Sequence, residues 1–481
     1  MSNGRLKAIS DRLDALYEFD REPVPPHKFQ SGWNFVSLFL GEHIAGTEFV
    51  IGSMFVLHGV SAKDLILGLL LGNTLAVLSW TLICAPIAVQ VRLTLYWYLR
   101  KIGGPGITFI YNIANAFLYC ILAGAMISVA ATAIGLAFGV DTPALTAKFP
   151  TGPGWVLITL GTGLVVTVVA ILGFEKLAQF SSVCAPWMIM IFFVGAIAVL
   201  PKLGEFHNAS ELWQLAQTKI WTGVPIEGKE KLGFWHIVFL AWFCNLAMHV
   251  DLSDLAVFRY ARKASYGLYS AFGMFPGHFM AWLASGVMVA AIGLKMAPGQ
   301  MAMNAAGLAG ALAVVIAGWT TANPTLYRAG LALQTVTPNW PRWLVTLVIG
   351  ILTTILSMFP FFFMRLLDFV AIYGLILMPI GAVVFAEHWI VPLLGMERLR
   401  AESRGWFISF AVTATWGLTL LACWFMPFHL FFRWLPGYFI ALVLYLILTS
   451  IESKLRPPSL NTLSPGGRAF TNPLPWRERE G

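Results

Sequence analysis

The chain has 481 residues, 58% of them hydrophobic and only 11% charged. Soluble proteins carry about 25% charged residues, so this composition excludes a soluble globular domain. A net charge of +8 would point a soluble protein toward nucleic acid. Here it reads as the Lys and Arg excess of cytoplasmic loops, and no nucleic-acid partner is expected.

Most apolar runs reach about 20 residues and strand-type alternation is absent, which predicts an all-α polytopic membrane protein in contact with lipid. A polar arm, residues 1–32, comes first and includes Pro23-Val24-Pro25-Pro26. It is too polar, and the apolar segment after it too long, for a cleaved signal sequence, so the segment is expected in the mature protein. The patterning predicts about twelve transmembrane helices, at 33–60, 64–88, 107–137, 154–173, 178–200, 233–257, 269–293, 305–335, 341–359, 361–387, 405–427 and 429–451. Loops and span ends on the side of the termini hold 22 Lys and Arg, Arg328 and Arg342 among them, against 9 on the other side. That bias predicts cytoplasmic termini and a cytoplasmic (inner) membrane location. Cys84, Cys120, Cys184, Cys244 and Cys423 all fall in apolar spans without a CxxC pair, so neither a disulfide framework nor a zinc site is indicated.

Two inside loops, Arg92–Lys101 and Phe258–Lys263, mix aromatic and basic residues as interfacial helices do. The loop 201–232 carries Trp213 and Trp221 but nothing resembling a folded domain, and the Pro- and Gly-rich tail, 452–481, is expected to be disordered and cytoplasmic.

Two spans are irregular. In the first, Gly41-Glu42-His43-Ile44-Ala45-Gly46 interrupts the apolar run near its middle, and Glu48 follows. A charge at that depth costs about 2.5–3.5 kcal/mol and usually serves a function. Irregular backbone there survives only where it is buried in protein or lines a cavity. The sixth span gathers polar groups toward its inner end, from Asn245 through His249, Asp251 and Asp254. His249 and Asp251 lie about 160° apart on a helix, so they do not share a metal ion while it stays wound. Broken helices 1 and 6 predict a five-plus-five inverted repeat with a substrate bound between the halves. The repeats would be 33–200 and 233–387, joined by the extracytoplasmic loop 201–232, with helices 11 and 12 in 388–451. In span eight, Thr320, Asn323, Pro324 and Tyr327 share a helical face. Its Thr320-Thr321 pair either offers hard oxygens to an alkali cation or bonds back to its own helix.

Short motifs carry a family resemblance. Pro23-Val24-Pro25, Phe39-Leu40-Gly41-Glu42-His43-Ile44 with Phe49 and Gly52, and Trp319-Thr320-Thr321 with Leu326-Tyr327 and Ala329-Gly330-Leu331 resemble stretches of the nucleobase:cation symporter-1 family. These are permeases of cytosine, purines, hydantoins and related compounds. The resemblance implies a leucine-transporter-type fold and cation-coupled symport of a nucleobase or similar heterocycle, with Na+ or H+ as coupling ion and no other cofactor. Carried over position by position, it implies sodium held by carbonyls of Gly41, Ile44 and Ala317 and hydroxyls of Thr320 and Thr321, with Ala45 facing the substrate.

The sequence departs from the family where a Trp and a Gln would contact the base, the nearest residues being Phe117 and Ile121; Asp254 also stands five residues before Arg259, and Glu42 and His43 replace neutral residues. A flat heteroaromatic ligand needs aromatic faces and a few convergent polar groups, which Phe117, Trp242 or Phe243, Asn245, Asn323 and Tyr327 offer. Glu42 and His43 support an alternative, a proton-coupled transporter of another small polar solute, because a carboxyl at that depth titrates readily. An intramembrane enzyme would need Glu42, His43, His249 and Asp251 to converge, and no HExxH pattern backs it, so no enzymatic activity is expected. The oligomeric state is not set by the sequence.

Overall fold

With no water to satisfy backbone amides, an apolar chain of this length crosses a bilayer as helices, and among the described residues the computed structural model is helical throughout, with only a lone bridge between Ser61 and Thr222. The structure describes residues 18–46, 48–144, 147–293, 298–337, 339–361 and 366–455. The first 17 residues of the arm, the tail beyond Leu455, and Lys295 and Arg365 of the charge count lie outside them.

Span one is two helices, α1 (Gly32–Glu42) and α2 (Glu48–Leu57). Then come α3 (Ala62–Val91), the short α4 (Leu95–Gly103), α5 (Pro105–Ala137), α6 (Pro153–Ile171) and α7 (Phe174–Val199). Span six is α8 (Phe234–Phe243), α9 (Leu246–His249) and α10 (Leu255–Phe258). The remainder are α11 (Ala264–Ile292), α12 (Pro298–Gln334), α13 (Arg342–Ser357), α14 (Leu366–Phe385), α15 (Phe410–Phe425) and α16 (Trp434–Leu455). Among the described residues eight helical stretches are long and apolar enough to cross a membrane, and α8, α13 and α15 are shorter apolar helices.

Burial ranks them. In α5 78% of the most apolar window is covered by protein, against 33% in the stretch ending with α16, so α5 is central and α16 peripheral. The arrangement follows from small residues. A Cβ on Gly318 of α12 would lie 2.7 Å from the Met126 carbonyl oxygen and 2.8 Å from the Ala130 Cβ, so only glycine lets α12 run so close along α5. Around this pair α1 packs on α7, α2 on α11, and α8 on α3. The loop 201–232 closes over the end of α2, where the Ile226 and Leu232 amides donate to carbonyls of Leu57 and His58.

Two loop expectations resolve differently. Leu95–Gly103 is a helix, capped by the Thr94 hydroxyl accepting from the Trp97 amide. Past Phe258, which ends α10, residues 259–263 are turn and bend instead, with Arg259 and Tyr260 drawn inward to the arm. The charge count also changes meaning, since Arg328 lies inside α12 with its side chain fully buried.

Candidate functional site

The site is built where the two broken spans face α12. α1 stops at Glu42; the His43 amide still donates to the Phe39 carbonyl, but the chain leaves the helix before α2 begins at Glu48. In span six, α8 ends at Phe243 and Asn245 takes φ −115°, ψ 23°. Farther on, Leu252 adopts φ 68°, a left-handed conformation that costs a non-glycine residue energy and therefore marks a held, irregular segment. Both breaks leave helix ends with unsatisfied backbone groups at membrane depth.

A buried ion network ties the breaks together. The Arg328 guanidinium donates to both oxygens of Glu42, at 2.5 and 3.1 Å, and through Nε and Nη2 to Oδ1 of Asp254, at 3.1 and 2.5 Å. The indole N–H of Trp80 donates to the other Asp254 oxygen at 2.7 Å. One cation thus holds the end of α1 and the start of α10 against α12. A buried charge is tolerable only when paired in this way.

Beside this network lies a small, partly open cavity of about 80 Å³, below the usual range of small-molecule pockets. Its walls carry Glu42, Ala45, Glu48 and Ile51 from span one, Cys244, Asn245 and Met248 from span six, Thr321 and Thr325 from α12, and Leu122, His278 and Val370. Two carboxylates and no Lys or Arg stand among these residues. Glu48 accepts from the Trp282 indole N–H, its backbone carbonyl accepts from the Ser285 hydroxyl, and the His278 Nε2 lies 3.9 Å from its Oε1. The His278 ring stacks on Trp282 at 4.6 Å with 15° between planes.

Of the residues expected to meet the substrate, Ala45 and Asn245 line this cavity. Phe117 does not: it is 57% exposed on the outer face of α5. Ile121 is buried beside the cavity-lining Leu122 without lining the cavity itself. Trp242 turns away, its indole N–H bonded to the Ser79 hydroxyl at 2.9 Å and its ring edge-on to Trp434. Phe243 packs into a separate apolar cluster with Met378 and Trp434. Asn323 is buried with no side-chain hydrogen bond and is absent from the cavity wall. Tyr327 points toward the arm, donating to Glu18 at 2.8 Å.

The expected sodium ligands are partly together. Thr321 Oγ1 lies 3.0 Å from the Ala317 carbonyl and 3.1 Å from the carbonyl of Glu42, rather than of Gly41 or Ile44. Thr320 turns toward α7, with its hydroxyl 3.0 Å from the Ile316 carbonyl and 3.5 Å from the Met188 sulfur. Gly41 abuts Ser181 of α7. Of the proton-coupling pair, Glu42 is held by Arg328, while the His43 Nδ1 lies 2.9 Å from the Phe39 carbonyl and its ring packs on His278 and Trp80. His249 also bonds its own segment, to the Trp242 carbonyl at 3.0 Å, and among the described residues no group of three or more His, Cys, Asp or Glu is placed to hold a metal ion. Sequence reasoning missed His278, Trp282, Thr325 and the role of Arg328. No sequence pattern singles these residues out, and only the folded neighbours reveal them.

No family model and no curated protein matches the sequence. By structure, the chain is similar to Mhp1, a nucleobase-cation-symport-1 family transporter, in a closed conformation with bromovinylhydantoin bound: the TM-score is 0.71 at 13% identity, covering 93% of this chain and 98% of that one. The inward-facing conformation of Mhp1 gives 0.69 at 14% identity over 94% and 100% of the two chains. A Na+-coupled sialic acid symporter, substrate-bound and outward-open, gives 0.64 at 12% identity over 92% of each. The resemblance carried by the short motifs of helices 1 and 8 is thus matched across nearly the whole chain, which has the fold of these membrane transporters.

Proposed function

We propose that the protein is a secondary active transporter that carries a nucleobase or related small heterocycle across the cytoplasmic membrane by cation-coupled symport. The observation that carries this reading is the cavity formed where the breaks of spans one and six face α12. Discontinuous helices that meet around a central site are the arrangement in which inverted-repeat transporters bind substrate. The five-plus-five repeat, with both termini cytoplasmic, belongs to the same proposal.

The wall chemistry narrows the substrate. Glu48, the Asn245 amide and the Thr325 hydroxyl offer acceptors, and no Lys or Arg lines the cavity. A ring compound presenting N–H groups suits it better than a carboxylate. Stacking falls to His278 rather than to Phe117, Trp242 or Phe243. The enzyme reading is disfavoured because, of the four groups it needs, only Glu42 lines the cavity.

The coupling cation is sodium, at the Thr321 hydroxyl and the carbonyls beside it, or a proton. The test is uptake of labelled cytosine, a purine, hydantoin and allantoin into proteoliposomes under separate sodium and proton gradients, with Thr321→Ala as control. Gradient-driven accumulation of one ring compound supports the proposal. Absence of uptake of all four sinks the heterocycle assignment.

A further inference from the structure

Asp251 is the one charged-type side chain of span six that the ion network leaves out. It is fully buried and neither carboxyl oxygen has a hydrogen-bond partner. Among the described residues, no cation pairs with it. Tyr111 of α5 and Tyr438 of α16 lie near it, the Tyr438 hydroxyl without a hydrogen-bond partner. From α14 the neighbour is Gly381, where an added Cβ would lie 2.7 Å from the Asp251 Cα and closer still to the Val250 carbonyl oxygen. On its own segment, His249 bonds the Trp242 carbonyl, and Asp254 is already paired with Arg328 and Trp80. The adjoining Leu252 is in the left-handed region, so this part of the break is held by its packing rather than by local preference.

A charge is costly in such a place unless a cation or hydrogen-bond donor meets it. Both oxygens of Glu42, by contrast, already receive N–H groups from Arg328. The transport reading supplies the rest, because α9 and α10 belong to the broken helix that must move for the cavity to change sides.

We propose that Asp251 is the proton-binding group of the transport cycle, neutral in this conformation and releasing its proton to water when movement of the span-six break hydrates it. This inference rests on the proposed transport function and reassigns the proton role from Glu42 and His43. One proton is taken up from water on one side and returned to water on the other, so one positive charge crosses per cycle with a neutral substrate.

The test has two independent arms. Infrared pH-difference spectra of the purified protein should show the carbonyl-stretch band of a protonated carboxylic acid, and Asp251→Asn should remove it. In proteoliposomes, a one-unit pH gradient should support about tenfold accumulation of whichever labelled ring compound the wild type exchanges. Asp251→Asn should abolish that accumulation while keeping counterflow exchange, and Asp251→Glu should restore accumulation with a displaced pH dependence. Persistence of the band in Asp251→Asn, undiminished proton-driven accumulation by that variant, or accumulation by the wild type under sodium alone would each overturn the proposal. Loss of both exchange and accumulation in Asp251→Asn, with Asp251→Glu equally dead, would make the residue structural and overturn it too. If the wild type exchanges none of the compounds, the transport reading fails, and the infrared band still decides whether Asp251 holds a proton.

Discussion

Arg328 is the residue on which the site depends most. It bridges Glu42 and Asp254, and among the described residues no other cation pairs with either; its planar fork lets one side chain satisfy both. Removing one partner of a buried ion pair costs about 3–5 kcal/mol, because the other charge is left uncompensated. Arg328→Met is therefore expected to lower the thermal unfolding temperature of the detergent-purified protein sharply, and the added pair Glu42→Gln and Asp254→Asn should recover part of the loss. At the cavity wall, Glu48→Gln exchanges a charged acceptor for a neutral one. A hydrogen bond to a charged group contributes about 1.5–3 kcal/mol, so uptake of an N–H-bearing heterocycle should fall about 10- to 150-fold. Unchanged uptake kinetics in Glu48→Gln would remove that residue from the substrate site. Glu42 and Glu48 were visible in the sequence as carboxylates at membrane depth; Arg328 was not, because seven residues past the Thr320-Thr321 pair it read as the first cation of a loop.

At the scale of the element, the breaks matter more than the spans around them. Span one parts between Glu42 and Glu48, and span six unwinds twice, around Asn245 and from Val250 to Asp254. The second unwound stretch is accommodated by α14, where a Cβ on Gly381 would lie 2.7 Å from the Asp251 Cα and collide with the Val250 carbonyl. Backbone cannot yield as a flexible side chain does, so Gly381→Ala is expected to cost about 1–3 kcal/mol by overpacking and to displace the Asp251 segment. Thermal unfolding and counterflow exchange measured together would check this, since a variant that exchanges normally would show the segment tolerates the shift. The breaks themselves were legible, because glycines and polar residues interrupt long apolar runs. The substrate face was not: Trp242 and Phe243 are consecutive residues on a turning helix, and the packing of α3, α14 and α16 draws both rings away from the cavity.

Across the whole molecule, the arm joins elements far apart in sequence on the side of the termini. Glu18 accepts hydrogen bonds from the hydroxyls of Tyr260 and Tyr327 at 2.7 and 2.8 Å and from the Phe174 amide at 3.2 Å. Arg259, fully buried, donates to the Phe19 carbonyl, and Arg21 to the Gln334 carbonyl. These contacts tie span six, α7 and α12 together at one end of the cavity. Their loss, at about 1.5–3 kcal/mol for a bond to a charged group, should raise the population open to that side about tenfold or more. Glu18→Ala, in a background where only Cys244 of the five cysteines is kept, is expected to increase labelling of that cavity-lining thiol by a reagent applied from the side of the termini. Equal labelling with and without Glu18 would show that the arm does not hold that end shut.

The sequence by itself determined the class, a helical membrane protein with interrupted spans. Hydrocarbon solvent forces long apolar helices, and apolar runs, glycine interruptions and the Lys and Arg bias are all local properties readable without a fold. Tertiary structure alone decided which face of each helix looks inward. It paired Arg328 with two carboxylates, turned Phe117 outward and Thr320 toward α7, and left Asp251 buried with no hydrogen-bond partner. The physical reason is that a side chain in a membrane helix has apolar surroundings whether it meets lipid or a neighbouring helix, so hydrophobic periodicity, which sorts core from surface in water, loses its power to tell the two apart.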